Sequence, residues 1–327
     1  MTYITPISFA ATDLNTFANT TGRLAVIVSP EGKLGVSARK LNRLTKGAIH
    51  RFIQSDNFKN FNPSNIISLA WPSGLIASSL DIVCLPRDHS VAQARKAGAA
   101  LAKLRGKECI LLALDGVRRA DEIAFGLAMR DYRFIDHKTD AVFNDGAVTV
   151  MCTNPKIAEA AYAPLLAVIE GTFLTRDLVN EPANVLTTNN FANRLEEMSA
   201  LGLKVEVLDE KELEQLGMRT LLCVGQGSES PSKVVIMKWD GGQQNITPFA
   251  LVGKGVVFDT GGISLKPAAG MEDMTMDMGG AGVVAGAMRA LALRKAKANV
   301  VGIVGLVENM PSGNATRPGD VIKSMKG

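Results

Sequence analysis

Lys254, Asp259, Lys266 and Asp277 are the residues best placed to do chemistry in this chain of 327 residues. They fall within LVGKGVVFDTGGISLKPAAGMEDMTMDMGGAG, Leu251 to Gly282, a stretch otherwise rich in glycine and apolar residues. A lysine in an apolar setting is costly unless something neutralises or uses it. Two carboxylates among such lysines point to metal or anion chemistry. Asp259 closes an apolar run, and in α/β sheets ligands gather where strands end. The same aspartate, followed by Thr260, Gly261 and Gly262, equally suits a turn. Asp277 either ligates an ion opposite Asp259 or caps the helix that begins behind it. In the first case Gly279, Gly280 and Gly282 let backbone approach closely. Lys254, between Gly253 and Gly255, either serves a site or snorkels to water. Lys266 also reads as a surface lysine before Pro267, and Met274 as ordinary core packing.

Other chemistries fit less well. The three histidines, His50, His89 and His137, are far apart and show no HxxxH spacing. A zincin-type site is therefore disfavoured, and a metal has to be held mainly by oxygen. No GxxxxGK[ST] occurs, because Lys254 is followed by Gly255, and no GxGxxG stands in the right context. The four cysteines, Cys84, Cys109, Cys152 and Cys223, form no CxxC pair and sit in apolar, strand-like runs. They read as buried free thiols in a reducing compartment. A net charge of +4 is mild for this length and argues for neither nucleic acid nor membrane. The N-terminal MTYITPISFA lacks the pattern of a secretory signal, and no apolar run reaches about 18 residues.

The elements that must position these residues follow an α/β pattern. GRLAVIVSP, NIISLAWP, DIVCLP, ECILLALD and AVTVMCT read as buried strands, with helices over 89–105 and 118–132. A helix over about 156–178 joins the two halves, and Pro182 stops it. The second half repeats the theme. A helix over 190–201 leads into strand KVEVLD, helix DEKELEQLG and the apolar run LLCVGQGS, and KVVIMKW, FALVGKGVVFD and NVVGIVGLVEN are further strands. A small-residue helix covers about 278–296. The expectation is two α/β domains, 1–165 and 170–327, the second on a mixed, mostly parallel sheet.

The segment 252–267, VGKGVVFDTGGISLKP, resembles the signature of the leucyl aminopeptidase, or cytosol aminopeptidase, family. MxxDMGGA at 274–281, NMPSGNATRPGDVIKSMKG at 309–327, RDLVNEPANVLT at 176–187 and LLCVGQGS at 221–228 extend the likeness. In the first half EIAFGLAMRDYRF at 122–134 carries it most. The resemblance implies a macro-domain-like N-terminal domain and a metallopeptidase catalytic domain. It implies hydrolysis of N-terminal, leucine-like residues from peptides, with two divalent ions (Mn²⁺, Zn²⁺ or Mg²⁺) in a cytoplasmic homo-hexamer. By the same resemblance Lys254, Asp259 and Asp277 ligate metal, with Lys254 as the neutral amine. Lys266 stays charged and supports the developing oxyanion, and Met274 lines the pocket for the first side chain.

The chain departs from the family pattern in having no NTDAEGRL segment, which supplies further ligands in family members. The expectation is a piece of a longer protein, inactive on its own. Two alternatives accompany the peptidase reading. One is a nucleic-acid-binding regulator, for which Ala38 to Arg51, with Arg39, Lys40, Arg43, Lys46 and Arg51, is the basic segment. The other is a catalytically inactive scaffold subunit.

Overall fold

The computed structural model describes residues 2–141 and 146–326, so Gly327, the last residue of the 309–327 motif, lies outside them. The chain divides into two units, 2–169 and 170–327, with the boundary inside one long helix.

In the N-terminal unit the elements run β1 (Ile7–Ala11), β2 (Arg23–Val28), α1 (Val36–Leu44), α2 (Ala48–Ile53), α3 (Asp56–Lys59), β3 (Ile66–Ala70) and β4 (Ser79–Cys84). Then come α4 (Val91–Arg105), β5 (Ile110–Ala113), α5 (Ala120–Arg130), β6 (Val148–Cys152) and the start of α6 (Pro155–Asn180). The strands form one sheet in the order β1-β6-β5-β2-β4-β3. All pairs are parallel except β3 with β4. Apolar side chains such as Leu24, Val26, Leu80 and Ile82 are fully buried, as the near-continuous apolar runs require of strands covered on both faces. Helix α4 starts at a capping box, in which Ser90 and Gln93 satisfy each other's backbone amides. Arg105, at the end of α4, is fully buried and pairs with Asp131.

The C-terminal unit takes the rest of α6, then α7 (Thr188–Glu196), β7 (Lys204–Leu208), α8 (Glu210–Gln215), α9 (Arg219–Gly225), β8 (Lys233–Asp240), β9 (Phe249–Asp259), α10 (Gly279–Leu293) and β10 (Asn299–Asn309). Its sheet has the order β7-β8-β10-β9. β9 pairs with β10 in parallel, and the other two pairs are antiparallel, so the sheet is mixed. Val235, Met237, Val257, Ala281, Met288, Val304 and Leu306 make its core. Helix α6 meets α10 at a glycine-on-glycine crossing. A Cβ on Gly171 would strike the Gly286 carbonyl, and one on Gly286 would strike the Gly171 carbonyl.

The structure adds to the sequence reading at several points and changes it at the cysteines. LLCVG forms helix α9, which packs on β10, since an apolar run this short carries no decisive periodicity. Cys109 is exposed and Cys223 half-buried on α9, while Cys84 and Cys152 are buried as expected. Burial, helped by the Glu31 charge, pushes the Cys84 thiol up to about 11. Helix α6 is, among the described residues, the one helix long and apolar enough to cross a membrane, although no unbroken apolar run announces it. Strand β1, which pairs with β6, has no counterpart in the expectations.

Candidate metal centre

β9 carries two of the site residues and lies at one end of the sheet order. Gly253 and Gly255 sit where a Cβ would run into Gly280, Ala281, Gly305 or Leu306. The strand is thus pressed against α10 on that side, and glycine is what the spacing admits. Lys254 alternates with them, and its side chain is 59% exposed. The cost that burial would impose on this lysine is therefore avoided by exposure at the edge. A Cβ on Gly280 would come within 3.0 Å of the Lys254 amide nitrogen, so the start of α10 crosses close to this lysine.

Asp259 stands five positions after Lys254, which in an unbroken strand would put them on opposite faces. The ladder with β10 runs Lys254↔Gly305, Val256↔Val307 and Asp259↔Asn309. β9 therefore carries one more residue than β10 between the last two pairs, which is a β-bulge. The extra residue reverses the alternation and brings Asp259 to the face of Lys254. Beyond it Gly261 and Gly262 adopt φ of +89° and +69°, a left-handed bend that other residues take at a cost. That bend turns the chain so that Lys266 returns, with its amide donating to the Thr260 carbonyl at 2.9 Å.

Asp259 is bound on both oxygens. Oδ1 accepts from the Gly261 amide at 2.9 Å and from Asn309 Nδ2 at 2.7 Å, and Oδ2 lies 2.7 Å from Lys266 Nζ. Partial burial alone would push this carboxyl up. The bonds from Lys266, Gly261 and Asn309, with the lysine's charge, outweigh it and hold the group below the ordinary aspartate value. The turn reading and the site reading of Asp259 are thus both realised. Lys266 Nζ also reaches Met274 Sδ at 3.2 Å. Asn309 and Thr260 are additions to the sequence reading. Thr260 donates from both its amide and its hydroxyl to the Asn309 carbonyl, each at 2.9 Å. Asn309 stands where β10 gives way to the NMPSGNATRPGD motif, a position that could have drawn attention to it.

Asp277 follows a 3₁₀ turn, Met271–Met276, and precedes α10. It does not cap that helix. The N-cap position belongs to Met278, and no side chain caps it. Asp277 Oδ1 instead pairs with Lys254 Nζ, and Oδ2 is buried with no hydrogen-bond partner.

The five sequence-predicted residues thus fall into two contact groups along the second half of β9: Asp259, Lys266 and Met274, and Lys254 with Asp277. An unsatisfied buried carboxylate oxygen is expensive to maintain and suits a cation. Carboxylate oxygen with one amine nitrogen is also a donor set that Zn²⁺, Mn²⁺ and Mg²⁺ accept. The residues present therefore fit divalent metal. Among the described residues no group of three His, Cys, Asp or Glu converges at metal-holding distance, so lysine nitrogen is needed to extend the set.

The catalytic-domain profile of the cytosol aminopeptidase family matches residues 173–327. A probable cytosol aminopeptidase of Dinoroseobacter shibae is 58% identical over the whole chain, which spans 67% of that relative. One of Cereibacter sphaeroides is 54% identical over the same spans. Among solved structures, the bottromycin maturation enzyme BotP in complex with Mn aligns at 30% identity and a TM-score of 0.74, over 93% of this chain and 63% of BotP. On the identity and coverage of these relatives, the chain belongs to the cytosol aminopeptidase family.

Proposed function

We propose that this chain belongs to a cytoplasmic, metal-dependent aminopeptidase that releases leucine-like residues from peptide N-termini. Family membership supports the reaction class. The buried, unpartnered Oδ2 of Asp277 is the observation that carries the metal reading. Lys254, Asp259 and Asp277 would hold two divalent ions, and BotP's complex with Mn favours Mn²⁺ among Mn²⁺, Zn²⁺ and Mg²⁺. Ions bound there supply Lewis acidity at the peptide carbonyl and lower the pKa of the attacking water.

The chain's own residues do the remainder. A lysine ammonium has three donors and no lone pair, so Lys254 ligates only after giving up a proton. Lys254, whose Nζ pairs with Asp277, would bring that nitrogen to the metal. Lys266 keeps its proton and presents fixed positive charge where the carbonyl oxygen becomes an oxyanion, a role typically worth about 3 kcal/mol of barrier. Met274, in contact with Lys266, lines the space for the substrate's first side chain. Assembly as a homo-hexamer and a macro-like role for the N-terminal unit belong to the same proposal.

Metal analysis of two variants tests it. In the full-length protein, Lys254→Ala should lose metal, and Lys266→Ala should keep its metal while turnover of a leucyl amide falls. Equal metal loss in both would refute the division of roles, and full activity in both would refute the site.

A further inference from the structure

We infer that Asn309 is a positioning residue for Asp259, engaging one of its oxygens so that Oδ2 alone is offered to a divalent ion. The inference rests on the metal reading above and adds a residue that the reading leaves out.

The two oxygens of Asp259 are held in unlike ways. Oδ1 accepts from the Gly261 amide at 2.9 Å and from Asn309 Nδ2 at 2.7 Å. Both donors are fixed by the backbone that carries them. Gly261 belongs to the left-handed bend after β9, and Asn309 stands opposite Asp259 in the ladder with β10. Oδ2 has a movable partner, Lys266 Nζ at 2.7 Å. That ammonium ends a flexible four-carbon stem, and the Lys266 side chain is 35% exposed. An arriving cation therefore competes with a mobile lysine at Oδ2, but with a paired strand and a turn at Oδ1.

Asn309 is itself anchored. Thr260, 5% exposed, donates to the Asn309 carbonyl from both its amide and its hydroxyl, each at 2.9 Å. The bulge sets the pairing. In an unbroken ladder Asn309, two positions after Val307, would face Phe258 in place of Asp259. Gly262 makes room for the amide, since a Cβ there would lie 2.8 Å from Asn309 Oδ1. An ionised carboxylate only accepts, so the amide has to present its nitrogen to Asp259 and its oxygen toward Gly262.

The residue type suits the task. Outer partners of a metal ligand fix its orientation through hydrogen bonds. A lysine or arginine opposite Asp259 would orient it too, but would oppose the charge that draws an ion. An alanine would leave Oδ1 to the Gly261 amide alone and free the carboxylate to turn. Asparagine donates without adding charge, so Asp259 is aimed and still anionic.

Calorimetric titration of the full-length protein with Mn²⁺ tests this, binding at Asp259 being identified as the event that Asp259→Asn abolishes. Asn309→Ala should weaken that event by about 10–100-fold, the usual effect of losing such a partner, and leave the other within about twofold as the sign of a folded site. Asn309→Leu, which refills the space without a donor, should weaken it as much. Saturating Mn²⁺ should restore turnover of a leucyl amide in Asn309→Ala with KM unchanged. Wild-type Mn²⁺ affinity in Asn309→Leu would show that packing is what matters, and would overturn the inference. So would unchanged affinity in Asn309→Ala, or turnover that stays low at saturating Mn²⁺. If Asp259→Asn abolishes no binding event, the metal reading itself fails and takes the inference with it.

Discussion

Asp277→Asn separates what this carboxylate does for the fold from what it does for a cation. The replacement keeps the shape and removes the charge. In the metal-free protein it gives up the Lys254 pair, whose lysine is 59% exposed. Exposed pairs of that kind contribute about 0–1 kcal/mol. Against that loss stands Oδ2, buried without a partner. A buried unsatisfied polar group costs about 1–3 kcal/mol, and a neutral amide is cheaper to hold there than a carboxylate. The second effect is the larger. The metal-free variant should match the wild type or exceed it by up to about 1 kcal/mol.

With metal the sign reverses. An ion at a hundred times its Kd stabilises the native state by about 2.7 kcal/mol, and the variant should forgo most of that. Urea unfolding with and without Mn²⁺ reads both numbers. The protein has two tryptophans, so the measurement belongs in a Trp71→Phe background. Trp71 is 78% exposed in the N-terminal unit, whereas Trp239 lies on β8 and donates to the Ala296 carbonyl at 2.8 Å. Its fluorescence follows the unit that holds Asp277. Two results would refute the reasoning: metal-free destabilisation above about 2 kcal/mol, which marks a structural carboxylate, or Mn²⁺ stabilisation equal to that of the wild type.

Three further outcomes are expected. Arg105→Met removes the cation that pairs with buried Asp131 and the donors to the Glu108 and Gly146 carbonyls, so it should cost about 3–5 kcal/mol, read by scanning calorimetry. Gly286→Ala drives a methyl group into the Gly171 carbonyl, where backbone cannot yield, and should cost about 1–3 kcal/mol in the same measurement. The Asp259 carboxyl is held below its ordinary value, so the stability it confers is complete above the unfolded value near about 3.9 and is lost as pH falls through the lower folded value. Asn309→Ala removes one of the bonds that lower it, and the acid-unfolding midpoint followed by Trp239 should move to higher pH.

Much of the fold was legible because long periodic or continuous apolar runs leave little choice. The runs of β2, β4 and β5 are of this kind. LLCVG was not legible as a helix, because five apolar residues fit a strand as well as one and a half turns. β1 was hidden in a short run after Pro6, and it forms by pairing with β6, some 140 residues away. For the site, residue types and the family signature named the five residues, but no local rule announced the bulge. Register irregularity is set by the neighbouring strand, here β10, and not by the bulged residues alone.

That bulge is also what reconciles the two demands made on β9. The strand has to press Gly253 and Gly255 against α10 while offering polar groups on its other face. Strict alternation would keep Lys254 clear of the helix but turn Asp259 toward the side that Val257 buries. One inserted residue spares the core a carboxylate and puts both groups on one face. Each is then left with a single opposite charge, Lys254 with Asp277 and Asp259 with Lys266. The pairs are not equivalent. Asp259 is satisfied at both oxygens and is costly to disturb, whereas Asp277 retains an empty, buried oxygen. Metal should therefore enter first at Asp277, where it removes a penalty, and only afterwards compete with Lys266 for Asp259. Stepwise Mn²⁺ titration should show the tighter event abolished by Asp277→Asn and the weaker one by Asp259→Asn. The reverse assignment would mean that the orphaned oxygen is not what draws the cation.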